Sequence, residues 1–117
     1  MIRIYGIRNC DTIKKTLAWF ADQDVPVDFI DYKKMPPDET LLRSWLTQLD
    51  WEQLVNKRGT TWRKLPQDLR DTMTEAAAIE QMIANPSLIK RPLVDHNRTL
   101  SVGFDEEHFT NLAAMTR

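Results

Sequence analysis

The chain has 117 residues, 42% of them hydrophobic and 28% charged, with a formal net charge of −1. That length fits one domain, and the near-neutral balance excludes the basic footprint of a DNA-binding or anionic-membrane-binding protein. A single cysteine excludes an internal disulfide framework and a cysteine-cluster metal site, and it fits a reducing, cytoplasmic setting.

No leader-like segment opens the chain, and no apolar run approaches membrane-spanning length. Ile2–Tyr5 is a short apolar run that predicts a first strand. The loop Gly6 to Asp11 follows, and then Ile13, Leu17 and Phe20 recur at helical spacing within a helix over about residues 12–23. Val25 to Tyr32 alternates as a second strand, and strand–helix–strand in this order makes a right-handed unit with parallel neighbouring strands. Met35-Pro36-Pro37-Asp38 breaks the pattern, and Asp38 caps a helix with Leu41, Leu42, Trp45, Leu46 and Leu49 on its apolar stripe.

From Trp51 to Val55 one helical turn is expected, and Pro66 to Arg70 reads as another short helix. Between them Asn56 to Lys64 reads as a polar, basic loop in which Gly59 supplies free φ. Thr74 caps a clearer helix with Ala77, Ile79, Met82 and Ile83 inward, stopped by Asn85-Pro86. Leu93 to Asp95 and Thr99 to Val102 form an antiparallel pair around a tight turn at His96-Asn97. Asp105 caps a last helix carrying His108, Phe109, Leu112 and Met115. The result is an α/β fold: a thioredoxin-like, four-stranded mixed sheet with flanking helices and an all-helical insertion between strands two and three. The thioredoxin-like halves cover about residues 1–35 and 88–117, and the insertion about 36–87, all within a single domain.

The chemistry centres on Cys10. Lone cysteines are commonly inert buried hydrophobes, but this one lies in a polar loop at a helix start. There the free N–H groups and the helix dipole favour thiolate. Arg8, Lys14 and Lys15 add positive charge, against Asp11. Lys57-Arg58 and Arg63-Lys64 form a basic cluster that reads as solvated surface or as an anion clamp. Pro92 reads either as a strand-entry proline or, in a thioredoxin-type arrangement, as a cis-proline that brings Arg91 near Cys10. His96 and His108 have no partner at ligand spacing, so no metal is expected. The three glycines are too far apart for a phosphate loop.

The chain resembles the arsenate reductase (ArsC)/Spx/YffB family, most closely its YffB branch. The resemblance rests on Tyr5-Gly6-Ile7-Arg8-Asn9-Cys10-Asp11-Thr12, on Asn56 to Leu65, and on Asn85 to Leu93. It implies a thioredoxin-like fold with a helical insertion and Cys10 as nucleophile. It also implies that Arg58 and Arg91 bind an oxyanion or glutathione carboxylates, with Pro92 as cis-proline and Lys57 and Lys14 as further contacts. Lys14 stands where an arginine is usual, keeping the charge without the bidentate fork.

Two positions depart from the arsenate-reducing pattern. Gly6 stands where those enzymes carry a histidine, and Gly103-Phe104 where they carry a third arginine, so arsenate is not the expected substrate. What the resemblance implies is a monothiol oxidoreductase with no bound cofactor. Glutathione serves as co-substrate, or a glutaredoxin-type thiol donor takes its place, and the chain works as a monomer. The alternative is the Spx branch, whose members are regulators that bind RNA polymerase. Many Spx proteins sense oxidants through a second cysteine three residues after the first, and here that residue is Ile13.

Overall fold

The computed structural model describes residues 1–116. The chain divides into two compact units: Met1–Met35 with the chain from Arg91 onward, and Pro36–Lys90.

The first unit holds a four-stranded sheet in the order β2-β1-β3-β4. Its strands are β1 (Ile2–Gly6), β2 (Val27–Asp31), β3 (Leu93–His96) and β4 (Thr99–Val102). β1 pairs parallel with β2, from Ile2 opposite Val27 to Gly6 opposite Asp31. It pairs antiparallel with β3, from Ile2 opposite His96 to Tyr5 opposite Leu93. β3 and β4 form the expected hairpin. The thioredoxin-like sheet read from the sequence is the one observed.

Two helices of this unit, α1 (Asp11–Asp22) and α7 (Glu106–Thr116), contribute to one core. Alternation along β1 sends Ile2 and Ile4 to that core, where they meet Ile13 and Phe20 of α1 and Phe109, Leu112 and Ala113 of α7. The rings of Phe20 and Phe109 lie 5.0 Å apart between centroids, within the range where aromatic pairs attract beyond simple burial. Asp105 caps α7 as the sequence suggests, accepting the His108 N–H at 3.2 Å. Met115 is 68% exposed and Ala113 takes the inward place.

The hairpin turn also sits one residue later than expected. Asn97 and Arg98 both have positive φ (51° and 68°), the backbone of a two-residue turn whose twist matches that of its strands. The Asp95 carboxylate accepts the Arg98 N–H at 2.9 Å and secures it.

The second unit is helical, with α2 (Glu39–Trp45), α3 (Trp51–Leu54), α4 (Thr60–Arg63), α5 (Gln67–Asp71) and α6 (Glu75–Ala84). The Asp38 carboxylate accepts the Leu41 N–H at 2.8 Å to start α2, and the Thr74 hydroxyl accepts the Ala77 N–H to start α6. Leu42, Trp45, Leu54, Trp62, Ile79, Met82 and Leu88 are among its buried residues.

Three expectations change here. α6 turns Ala78 inward and leaves Ile83 40% exposed. The stretch read as an open basic loop contains α4, whose N-cap Gly59 has an ordinary φ of −83°. The glycine is there for space, since a Cβ would lie 2.8 Å from Asn56 Nδ2. The insertion is also not wholly helical: Val55 and Ile89 form an isolated antiparallel bridge, reinforced by the Asn56 N–H to Leu88 C=O bond at 2.8 Å.

Candidate functional site

β1 ends at Gly6, whose carbonyl accepts the Tyr32 N–H at 2.9 Å. Gly6 lets α1 approach the strand closely, because a Cβ at this position would collide with Cδ1 and Cγ1 of Ile13. A larger residue there displaces Ile13, so the absence of a histidine in this loop is a packing requirement of this chain. The loop then delivers Cys10 to the N-cap of α1, in extended conformation (φ −143°, ψ 126°), with its carbonyl accepting the Lys14 N–H at 2.9 Å.

The thiol is half-buried. Burial pushes its proton affinity up. The Ile13 N–H, the Arg91 guanidinium as hydrogen-bond donor and as charge, and the Thr12 N–H together outweigh burial, and the Cys10 thiol ends below the usual thiol range. The sulfur makes no fully formed capping bond. Donors that face it favour its thiolate form, the usual environment of a reactive cysteine.

Arg91 enters from the other neighbour of β1. It lies two residues before β3, joined to Pro92 by a cis peptide bond, and the carbonyl of the buried Pro92 accepts the Gly103 N–H at 2.9 Å. Tyr32, directly after β2, is 1% exposed. Burial pushes its phenol up, and the positive charge of Arg91 opposes that. Tyr32 stacks on Tyr5 with ring centroids 6.4 Å apart and planes 26° from parallel.

The structure thus brings Cys10, Arg91 and Pro92 to one end of the sheet, with Tyr32 beside them. Sequence reasoning read Tyr32 only as the end of a strand, although its place one residue past the Gly6 partner was the available signal. The other cations of the loop are less committed to the thiol. Arg8 lies over the Phe29 ring at 4.9 Å, and Lys15 over the Phe104 ring at 4.1 Å. Lys14 is exposed on the first turn of α1.

Arg58 and Lys57 belong to the helical unit. They line a cleft of about 310 Å³ there with Glu52, Asn56 and Lys90. Arg58 is exposed, and its N–H is held by the Asn56 side chain at 3.2 Å. Lys57 Nζ is 3.1 Å from the Glu52 carboxylate and lies over Trp51 at 5.0 Å and Trp62 at 5.7 Å. Its charge therefore braces the cleft wall. No group of three or more His, Cys, Asp or Glu gathers to hold a metal ion among the described residues. Nor is any helix among them long and apolar enough to cross a membrane.

Residues 5–112 match the ArsC family. The solved structure of a YffB protein is 39% identical, covers 95% of this chain and 97% of its own, and superposes with a TM-score of 0.89. An arsenate reductase (ArsC) related protein from Brucella melitensis is 44% identical over 94% of this chain and 92% of its own, with a TM-score of 0.82. A global transcriptional regulator Spx from Listeria innocua is 26% identical, covering 92% of this chain and 82% of its own. With its sheet order, its cysteine at the start of α1 and a match across most of its length, the chain belongs to the ArsC family.

Proposed function

We propose that the chain is a glutathione-dependent monothiol oxidoreductase with Cys10 as its nucleophile. The observation that carries this reading is the Cys10 thiol at the start of α1 with the Arg91 guanidinium against it, which together favour thiolate. The Cys10 thiolate attacks the glutathione sulfur of a mixed disulfide, the S–S bond breaks, and the partner thiolate leaves and takes a proton from water. The thiolate of a second glutathione then attacks the glutathione sulfur bound to Cys10. Glutathione disulfide leaves and the Cys10 thiolate returns. The substrate partner leaves as a thiol, one free glutathione is oxidised and joins the glutathione of the mixed disulfide as glutathione disulfide, and no second protein thiol is needed. That suits a chain in which the residue three after Cys10 is the fully buried Ile13.

Arg91 stabilises the thiolate at rest and the leaving thiolate during exchange. Lys14 adds charge at the start of α1, and Pro92 packs beside the bound thiol. Arsenate is disfavoured as substrate because Gly6 supplies no imidazole and Phe104 no guanidinium. A second reading, favoured by the similarity to Spx, is a regulatory binding protein that contacts RNA polymerase without catalysis.

The test is turnover of a glutathione mixed disulfide by the wild type and by Cys10→Ser, with glutathione supplied and glutathione disulfide measured. Turnover that requires glutathione and disappears in Cys10→Ser is expected. Absence of turnover in the wild type, or equal turnover in the variant, would favour the regulatory reading.

A further inference from the structure

Arg8 stands two residues before Cys10 in the loop after β1, is exposed, and carries its guanidinium over the Phe29 ring, 4.9 Å from the centroid. Arg3 faces Asp28 and Lys15 lies over Phe104, but no carboxylate pairs with Arg8 among the described residues, not even Asp11 at the start of α1. The ring under Arg8 is itself fixed. Phe29 sits on β2 opposite Ile4 and packs against the same core that Cys10 borders. Its Cε1 lies 3.8 Å from the point where a Gly6 Cβ would stand, the point that Ile13 of α1 crowds from the other side. Arg8, Phe29 and Cys10 all belong to the first unit, and the ring keeps Arg8 on the face of the sheet that α1 covers.

We infer that Arg8, held over Phe29, is a substrate contact that takes a carboxylate of the glutathione exchanging at Cys10. A guanidinium meets a carboxylate by two parallel hydrogen bonds. An aromatic ring beneath it limits its freedom beforehand, so less is lost when the ligand binds. The carboxylates of glutathione are several bonds from its sulfur, and a partner for them has to stand off from the thiol. Arg91 serves the sulfur, and Arg8 serves the far end of the ligand. Lys14, the other exposed cation near the loop, lies over no aromatic ring among the described residues and offers a point charge in place of a fork.

This inference rests on the glutathione reading of Cys10 and names a residue that binds the ligand. Its test compares two reagents on the resting thiol: glutathione disulfide, and the same disulfide with its carboxyl groups esterified. Addition of one glutathione to Cys10 is followed by mass spectrometry. Both reagents meet the same thiolate, so the ratio of their rates does not depend on how far the thiol is ionised. In Arg8→Ala the preference for the free carboxylates should fall about threefold, the size expected of one exposed ion pair. Arg8→Lys keeps the charge without the fork and should lose part of the preference. Phe29→Leu keeps Arg8, removes the ring, and should also lose part of it. A ratio that Arg8→Ala leaves unchanged overturns the inference while the monothiol reading stands. A ratio unchanged in both Arg8→Lys and Phe29→Leu reduces Arg8 to a diffuse charge and overturns its held fork. A wild-type Cys10 that reacts with neither reagent overturns the proposed function and the inference together.

Binding of S-methylglutathione, which cannot exchange, gives a readout that does not use the thiol. Its affinity, read from amide shifts, should fall about threefold in Arg8→Ala. Equal affinity in wild type and Arg8→Ala overturns the inference.

Discussion

Replacing Gly6 by Ala adds one methyl group where the structure has no room for it. The new Cβ would overlap Cδ1 and Cγ1 of Ile13, and Ile13 is fully buried among Ile2, Ile4, Phe20 and Phe109. A β-branched side chain in a helix has essentially one χ1 rotamer, so Ile13 cannot swing aside. The first turn of α1 has to move instead. Overpacking of this kind costs about 1–3 kcal/mol. At about 2.1 cal/mol/K per residue, a chain of this length unfolds with an entropy of about 0.25 kcal/mol/K, so Tm should fall by about 4–12 °C.

The same shift carries the Ile13 N–H, the foremost donor lowering the Cys10 proton affinity, away from the sulfur. Loss of stability should therefore come with a raised alkylation inflection. The assay is thermal unfolding followed by circular dichroism, paired with the pH dependence of alkylation on the same samples. A Gly6→Ala protein with unchanged Tm and unchanged inflection would refute the close approach of α1 to β1. A fallen Tm with an unchanged inflection would refute its link to the thiol.

Met82→Ala should cost about 2–5 kcal/mol as a fully buried deletion, while the exposed Ile83→Ala stays within about 0.5 kcal/mol; denaturant midpoints showing equal costs would contradict the orientation of α6. Arg98→Gly removes a side chain from a residue with φ of 68° and keeps the backbone bond to Asp95. It should raise Tm by about 2–4 °C, and a fall would contradict the strain assigned to the turn. The Cys10 thiol loses its proton more readily in the folded than in the unfolded chain. Its ionisation therefore adds stability that is fully present above the unfolded thiol value and is lost as pH falls through the lowered folded value. The stability gap between wild type and Cys10→Ser should then widen as pH rises toward the unfolded thiol value of about 8.5, and a constant gap would contradict the lowered thiol.

Much of this molecule could be read from local chemistry. The apolar run of β1, the three-and-four spacing in α1, and the caps at Asp38, Thr74 and Asp105 are all short-range signals that hold, whereas the second strand is shorter than its pattern suggests, Val27–Asp31, and its burial does not alternate. What local chemistry could not show was orientation where small residues pack closely. Ala78 and Ala113 turn inward while the larger Ile83 and Met115 face out. α4 escaped notice because Trp62 is its single buried residue, which gives no periodicity.

The site divides in the same way. Cys10 stood out through its loop and the helix after it. The place of Arg91 depended on the thioredoxin-type fold reading, since it lies 81 positions along the chain and arrives only through the pairing of β1 with β3. Tyr32 carries no motif, and its burial at the end of the sheet shows only in the structure.

The central claim is that Cys10 is a reactive thiolate created by α1 and Arg91, and the rate of its alkylation against pH tests this most directly. The account expects an inflection below the ordinary thiol value of about 8.5, and a clear rise in Arg91→Ala. An inflection at or above that value in the wild type would contradict it.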